Sequence, residues 1–455
     1  MNIIIAGDGK VGATLAEHLS KEHHDVTIID TRDSALRRAA DVLDVMCIKG
    51  SCTSLSTLQD AGAADADVVI AATSSDEINM LCCHCARRLG AKYTVARVRN
   101  AEYFSDTEGL KSELGIDMII NPEYATAVEL SRLLRFPSAA NIDAFRRGRV
   151  ELVGFHAHRG DFLNGRPLSE ISPSIREPIL FCAVERGHEV FIPDGNFVIQ
   201  EGDKPYIIGQ PADVNQFFKM LGRDSQKIRS IFIVGGGRIA YYLISILHEL
   251  GLEIKVIERD EARCRLLAEK FPKCLIIQGD GTDPELLAME HVSASDAFIA
   301  LTDRDEDNLI ISLYAIQNGV SKVIAKSNRQ NYFGIAQSAG LESLVSPKLI
   351  TASQILKVVR GMQNSKGSVM TSLYRIADGH AEVMEFIVGP STRHLGTPLK
   401  DLRLKRGILI AMIARGRTII IPEGSSYIQE QDTVFIVSRD RAILDVNDIY
   451  DESFG

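Results

Sequence analysis

The sequence predicts an α/β protein built as two tandem repeats, each a Rossmann-like, doubly wound parallel-sheet domain followed by a small β-rich α+β domain. Three observations carry that expectation. The stretch Ile3-Ile4-Ile5-Ala6-Gly7-Asp8-Gly9-Lys10-Val11-Gly12 recurs as Ile231-Phe232-Ile233-Val234-Gly235-Gly236-Gly237-Arg238-Ile239-Ala240, an offset of 235 − 7 = 228. After a one-residue slip the register continues at 229, with Gly50 recurring as Gly279, Asp76 as Asp305, Asn79 as Asn308 and Asp203 as Asp432. Within each half, short aliphatic runs alternate with helix-length stretches, the pattern of a parallel sheet covered on both faces.

In chain order, strands are expected at residues 3–6, 26–29, 45–48, 68–71, 93–96 and 118–120, each a continuous apolar run. From about residue 141 the pattern changes to short strands at 150–155, 180–185, 189–192 and 206–209, separated by Gly and Pro turns and closed by a helix. The charged stretch 222–229 reads as the linker between halves. Domain boundaries are expected at 1–135, 136–222, 228–362 and 366–455, consistent with 455 residues at about 150 per domain and a repeated two-part unit.

Composition narrows the function. The chain is 45% hydrophobic and 24% charged, which excludes disorder, and its net charge of −9 makes nucleic acid a poor partner. No window holds the 18 or so apolar residues that cross a bilayer. The first residues run straight into the glycine motif without a basic segment or cleavage site, so a cytoplasmic location and free thiols for the eight cysteines are expected. Cys82-Cys83-His84-Cys85 would point around most of a helix, which argues against a metal site.

Gly7-x-Gly9-x-x-Gly12 gains weight from context. It follows a buried strand, opens a helix with apolar Val11, Leu15 and Leu19, and precedes Asp30 by 18 residues. Gly7 permits the tight turn, Gly9 lets backbone approach a pyrophosphate, and Gly12 allows close helix–strand packing. Asp8, Lys10 and Val11 complete the loop, whose N–H groups attract phosphates. Asp30 would accept from the adenosine ribose hydroxyls and repel a 2′-phosphate, favouring NAD(H); Arg32 could stack on adenine or tolerate phosphate, or could be a solvated loop residue. Ser51 and Cys52, Thr73 and Ser74, and Arg97 follow the third, fourth and fifth strands and are further expected contacts. The second half offers Gly235, Gly236, Gly237, Arg238, Ile239, Glu258 and Asp280, with Lys326 in the place of Arg97.

Dehydrogenase chemistry would need an acid or base beside the nicotinamide. No Tyr-x3-Lys occurs, and no histidine or cysteine matches across the halves; His18, His23 and His24 precede the second strand, while His156, His158, His188, His380 and His394 fall in the small modules. The repeat duplicates binding positions, so no catalytic residue is assigned. An NAD-dependent oxidoreductase is the rival reading from the same glycine motif.

The glycine motifs, Asp30, Arg97-Val98-Arg99-Asn100-x-Glu102-Tyr103 and the paired turns Ile192-Pro193-Asp194-Gly195 and Ile421-Pro422-Glu423-Gly424 together resemble the TrkA family, cytosolic nucleotide-binding regulatory subunits of Trk potassium uptake systems made of tandem RCK units. The resemblance covers essentially the whole chain. It implies NAD binding at the positions above, with ATP or ADP as further ligands, and a tetrameric ring beneath a membrane channel subunit of the TrkH or TrkG type. It also implies peripheral attachment to the inner face of the membrane through that partner; the regulatory tail of another cation channel or antiporter differs only in partner. One departure stands out: the family's Gly-Asp-[Gly/Ala]-[Thr/Ser] after strand three is Gly50-Ser51-Cys52-Thr53 in the first half and Gly279-Asp280-Gly281-Thr282 in the second. Helices at 123–134 and 349–361 are the expected crossover and hinge elements. Their apolar residues Ala127, Leu130, Leu133 and Leu134, and Ile350, Ile355 and Val358, would face a partner subunit or the core.

Overall fold

The computed structural model describes residues 1–136, 139–145, 148–187, 189–223, 228–329, 331–341, 343–363, 368–376, 380–439 and 443–451. The centre of the expected linker (224–227), His188 and most of the 363/366 boundary region lie outside the described residues.

The first half opens with β1 (Asn2–Ala6), α1 (Lys10–Lys21), β2 (Asp25–Asp30), α2 (Asp33–Val42), β3 (Met46–Lys49), α3 (Leu55–Asp60), β4 (Val68–Ala71), α4 (Asp76–Leu89), β5 (Thr94–Arg97), α5 (Ala101–Ser105), α6 (Thr107–Leu114), β6 (Met118–Ile120) and α7 (Pro122–Arg135). It continues through β7 (Asn141–Phe145), β8 (Val150–Gly154), α8 (Leu168–Ile171), β9 (Leu180–Arg186), β10 (Glu189–Phe191), β11 (Lys204–Gly209) and α9 (Pro211–Met220). The second half repeats the plan as β12 (Ser230–Val234), α10 (Arg238–Leu247), β13 (Glu253–Glu258), α11 (Glu261–Lys270), β14 (Leu275–Gln278), α12 (Pro284–Met289), β15 (Ala297–Ala300), α13 (Asp305–Gln317), β16 (Lys322–Lys326), α14 (Asn331–Ser338), β17 (Ser343–Val345) and α15 (Pro347–Gln363). It ends with β18 (Val369–Ile376), β19 (Ala381–Ile387), β20 (Ile408–Arg415), β21 (Thr418–Ile420) and β22 (Thr433–Ser438).

Both large sheets are parallel, with orders β3-β2-β1-β4-β5-β6 and β14-β13-β12-β15-β16-β17, so the order reverses between the first and fourth strands of each. Continuous Ile, Val and Ala runs form these central strands because both faces are covered by helices, and β4 and β15 are buried along their whole length. The two small sheets are antiparallel, β10-β9-β11-β8-β7 and β18-β19-β22-β20-β21, the same order read from opposite edges. The sequence reading missed β7, whose Asn141-Ile142-Asp143-Ala144-Phe145 lacks an apolar run because it sits at a sheet edge.

The chain divides into two compact units, Met1–Ala127 with Ser346–Val359, and Val128–Val345 with Arg360–Gly455. Most of α15 therefore belongs with the first large sheet, and the end of α7 belongs with the unit holding the second. Ala127, Leu130, Leu133 and Leu134 are buried within the chain, the core-facing alternative of the two. On α15 the buried set is Ala352, Ile355, Leu356 and Val359, whereas Ile350 and Val358 are only half-buried, a shift of the inward face by about one residue. In the second unit the two small sheets share one core, where the Phe145 and Phe435 rings meet edge-on at 5.1 Å. Each small module also closes on a matched ion pair: Arg186 donates to Asp203 and Val198 O, and Arg415 to Asp432 and Tyr427 O.

Where the halves differ near the glycine loops, substitutions compensate. Cys52 packs in one cluster with Ala6; at the equivalent places stand Gly281 and Val234, and a Cβ on Gly281 would lie 2.2 Å from Val234 Cγ1. Likewise Asp8 and Ala39 are replaced by Gly236 and Leu267, with a Cβ on Gly236 only 2.7 Å from Leu267 Cδ1. Volume is conserved and the chemistry changes.

Charge is less evenly shared at the crossover helices. Arg360 and Arg375 both donate to the fully buried Glu382. The equivalent carboxylate in the first half, Glu151 on β8, is buried with Oε2 unpartnered among the described residues, and burial pushes it up to about 7 against the pull of Arg135 and Arg132. Glu129 on α7 is likewise pushed to about 7 by burial, opposed by Arg132.

Two outcomes follow from this packing. Gly281→Ala should cost about 1–3 kcal/mol by overpacking, and combining it with Val234→Ala should cost less than the sum of the two changes, measured as a double-mutant cycle in urea. For Glu151 the folded state holds its proton between the ordinary value of 4.5 and about 7, so its contribution to stability is lost as pH rises through that window. Glu151→Gln should make the decline of stability over that range shallower, as followed by urea unfolding at a series of pH values.

Candidate functional site

Each large sheet carries a crevice at the carboxyl ends of its first and fourth strands, where the strand order reverses and connecting loops diverge. Gly7 turns the chain off β1 with φ +100°, a conformation L side chains rarely adopt, and its N–H donates to Ile29 O at 2.8 Å. A Cβ on Gly7 would sit 3.0 Å from Thr73 backbone atoms, so the loops after β1 and β4 nearly touch. A Cβ on Gly12 would fall 1.9 Å from Gly7 O, which explains why helix and loop demand glycine there. Above Gly9 and Gly237 the space is open. The helices that follow, α1 and α10, have no side-chain cap, so their first-turn N–H groups face the crevice mouth without a side-chain acceptor. Lys10 and Arg238 lie exposed at these helix starts, whereas Val11 and Ile239 bury their side chains and offer only backbone.

A carboxylate ends the second strand of each sheet. Asp30 Oδ2 accepts from Asp8 N at 2.8 Å, and Glu258 Oε2 accepts from Gly236 N at 2.6 Å. Here the two sites part. Arg32 is exposed yet turned back on the strand end: its Nε and Nη2 close on Asp30 at 3.1 Å each and Nη2 also donates to Asp8 O. Burial raises the Asp30 carboxyl, but the Arg32 side chain and the Arg32 and Asp8 N–H groups outweigh it and leave it below its ordinary value. Asp8, buried beneath the loop, is pushed up by burial and by Asp30. In the second site Asp260 replaces Arg32, and among the described residues Glu258 accepts from two backbone N–H groups and no side chain.

The other expected contacts sort by position. Ser51 and Ser74 are exposed at the loops after β3 and β4. Cys52 buries its side chain, with its thiol against that of Cys82 in the cluster that holds Ala6, so it offers the crevice only backbone. Asp280, its neighbour in the second half, is exposed and held low by the N–H and hydroxyl of Thr282. Thr73 Oγ1 donates to Asn79 Oδ1 at 2.6 Å, so its hydroxyl is already oriented. Arg97 pairs with Glu123 at 3.4 Å, at the first turn of α7, and Lys326 lies 4.0 Å from Asp303.

Two residues that the sequence reading left without a role prove to shape both crevices. Asn79 accepts from Thr73 N and donates to Arg97 O; Asn308 repeats this with Thr302 N and Lys326 O. Each clamps the end of the fourth strand to the end of the fifth. Asp76 accepts from Arg99 N and Asn100 N, and Asp305 from Asn328 N, fixing the next loop. Their exact repetition at an offset of 229 was the available signal.

The TrkA-N domain family matches residues 3–122 and 231–347, and the TrkA-C domain family matches 162–222 and 383–450. Among curated relatives, the Trk system potassium uptake protein TrkA of Haemophilus influenzae is 34% identical, covering 97% of this chain and 96% of its own. TrkA homolog 2 of Methanosarcina mazei is 31% identical over 99% of this chain and 100% of its own. Among solved structures, the GsuK RCK domain aligns with a TM-score of 0.63 at 18% identity, covering 96% of this chain and 92% of that one. The GsuK channel bound to NAD gives 0.63 at 18%, covering 96% and 76%. At that identity these likenesses speak for the fold alone. No helix among the described residues is long and apolar enough to cross a membrane.

Removing the clamp tests the crevice geometry. Asn79→Ala leaves the Thr73 N–H and Arg97 carbonyl without their partner and should cost about 1–3 kcal/mol in urea unfolding, with Asn308→Ala costing a similar amount.

Proposed function

The chain belongs to the TrkA family, and on that premise we propose that it is a cytosolic, nucleotide-binding regulatory subunit that gates a membrane-embedded potassium uptake subunit of the TrkH or TrkG type and catalyses no reaction itself. The observation that carries this reading is the duplicated crevice: glycine turn, uncapped helix start, acidic strand end and asparagine clamp all occur twice, while no histidine or cysteine in the sequence repeats with them. Two copies of a binding site and none of a reactive group fit sensing better than hydride transfer.

We read four modules, at 1–135, 136–222, 228–362 and 366–455, assembled as a homotetramer held at the inner membrane face by its partner. The first ligand set is Gly7, Asp8, Gly9, Lys10, Val11 and Gly12 with Asp30, Arg32, Ser51, Thr73, Ser74 and Arg97. The second is Gly235, Gly236, Gly237, Arg238, Ile239, Glu258 and Asp280. NAD(H), ATP and ADP share the adenosine diphosphate that such a cradle takes.

A ligand shifts a shape equilibrium only through unequal affinity for the two shapes. Arg97 supplies the inequality. It is bound to Glu123 on the first turn of α7, so a phosphate that draws Arg97 into the crevice loosens the ion pair that positions the crossover helix.

Isothermal titration of the full chain with NADH, ATP and ADP should show micromolar-range binding to at least one, and co-purification with a TrkH-type subunit should respond to that nucleotide; Arg97→Ala should keep the complex but blunt the response. Absence of binding to all three would sink the reading.

A further inference from the structure

We propose that the two crevices read the adenosine ribose oppositely: the first takes adenine dinucleotides carrying a 2′-phosphate, as in NADPH, and the second takes those with a free 2′-hydroxyl, as in NADH. The inference rests on the nucleotide-binding reading above and deepens it.

A carboxylate has about four lone-pair positions. On Asp30 all four are used: Oδ1 accepts from Arg32 N at 2.8 Å and Arg32 Nε at 3.1 Å, and Oδ2 from Asp8 N at 2.8 Å and Arg32 Nη2 at 3.1 Å. No position remains for a ribose hydroxyl. On Glu258 two are used among the described residues, by Gly236 N and Asp260 N, so two remain for the 2′- and 3′-hydroxyls.

The donors are reversed in the same way. Arg32 is 59% exposed in its side chain, and its Nη1, with two N–H groups, has no partner among the described residues. Arg38 on α2 is also exposed, and its charge reaches Asp8. The counterparts in the second half are Asp260, whose carboxylate caps α11 through Arg263 N, and Leu266. The nearby cation there, Arg259, acts on Asp280. A guanidinium with spare donors, locked by a carboxylate behind it, is a receptor for a phosphate dianion; a carboxylate with spare lone pairs and an acidic neighbour repels one. The preference for NAD(H) that Asp30 alone suggests therefore holds for Glu258 and is reversed at Asp30.

The test is calorimetric titration of the full chain with NADPH, 2′-phospho-ADP-ribose and NADH. Wild type should bind one NADPH per chain. Arg32→Ala should weaken NADPH and 2′-phospho-ADP-ribose by roughly tenfold or more while sparing or improving NADH, since it frees Asp30. Asp260→Arg should add a second NADPH site; the loss of its cap is tolerable because Arg32 occupies the same position in α2 without capping. Melting curves of both variants confirm folding. Equal weakening of NADH and NADPH by Arg32→Ala would mean adenine stacking and would overturn the proposal, as would NADH binding at both crevices with none for NADPH. If wild type binds no nucleotide at all, the functional reading falls instead.

Discussion

The hydrogen bond from the glycine loop to the carboxylate ending the second strand is the constraint around which each crevice is arranged. It fixes where the loop's second residue sits, and so which side chain is allowed there and how closely the following helix can approach. In the first half Asp8 donates its N–H to Asp30, and its own side chain is then driven under the loop into the room that Ala39 leaves. In the second half Gly236 donates to Glu258, and Leu267 fills the same room. Identical backbone geometry thus holds an ionisable group beneath one loop and hydrocarbon beneath the other.

Much of this was legible in the sequence. The repeat, the parallel strands and the glycine turn follow from local patterns, since central strands must be apolar throughout and Gly7 must take a positive φ. Residues whose role depends on contacts distant in sequence were not. Cys52 looks like a loop residue until it is found in one cluster with Ala6, and nothing local shows that the exposed Arg32 turns its guanidinium back against Asp30. The buried face of α15 was only partly legible, since the helix packs with residues hundreds of positions earlier in the chain. Asn79 and Asn308 stand between these cases: repetition marked them, but only the strand ends they join explain why.

The crossover helices link the two kinds of chemistry. The first turn of α7 touches the first crevice through Glu123 and Arg97; at the small sheets Arg360, at the end of α15, is paired with Glu382, while Glu151 Oε2 on β8 has no partner among the described residues. A buried carboxylate left without a full partner costs stability as soon as it ionises. The two halves therefore differ in how the equivalent carboxylates of β8 and β19 are neutralised, by burial of a held proton at Glu151 and by two guanidinium groups at Glu382.

The core shared by the small sheets has a consequence for how the chain is made. Phe145 and Phe435 are 435 − 145 = 290 residues apart, so at ribosomal rates the first small module waits roughly 15–60 s for the strands that will cover its apolar face. During that interval a nascent chain presents an uncovered sheet to every neighbouring nascent chain on the same message. Biogenesis of a duplicated protein of this design is thereby exposed to pairing the right module from the wrong molecule, an error that two copies of the same sheet make chemically almost indistinguishable from success.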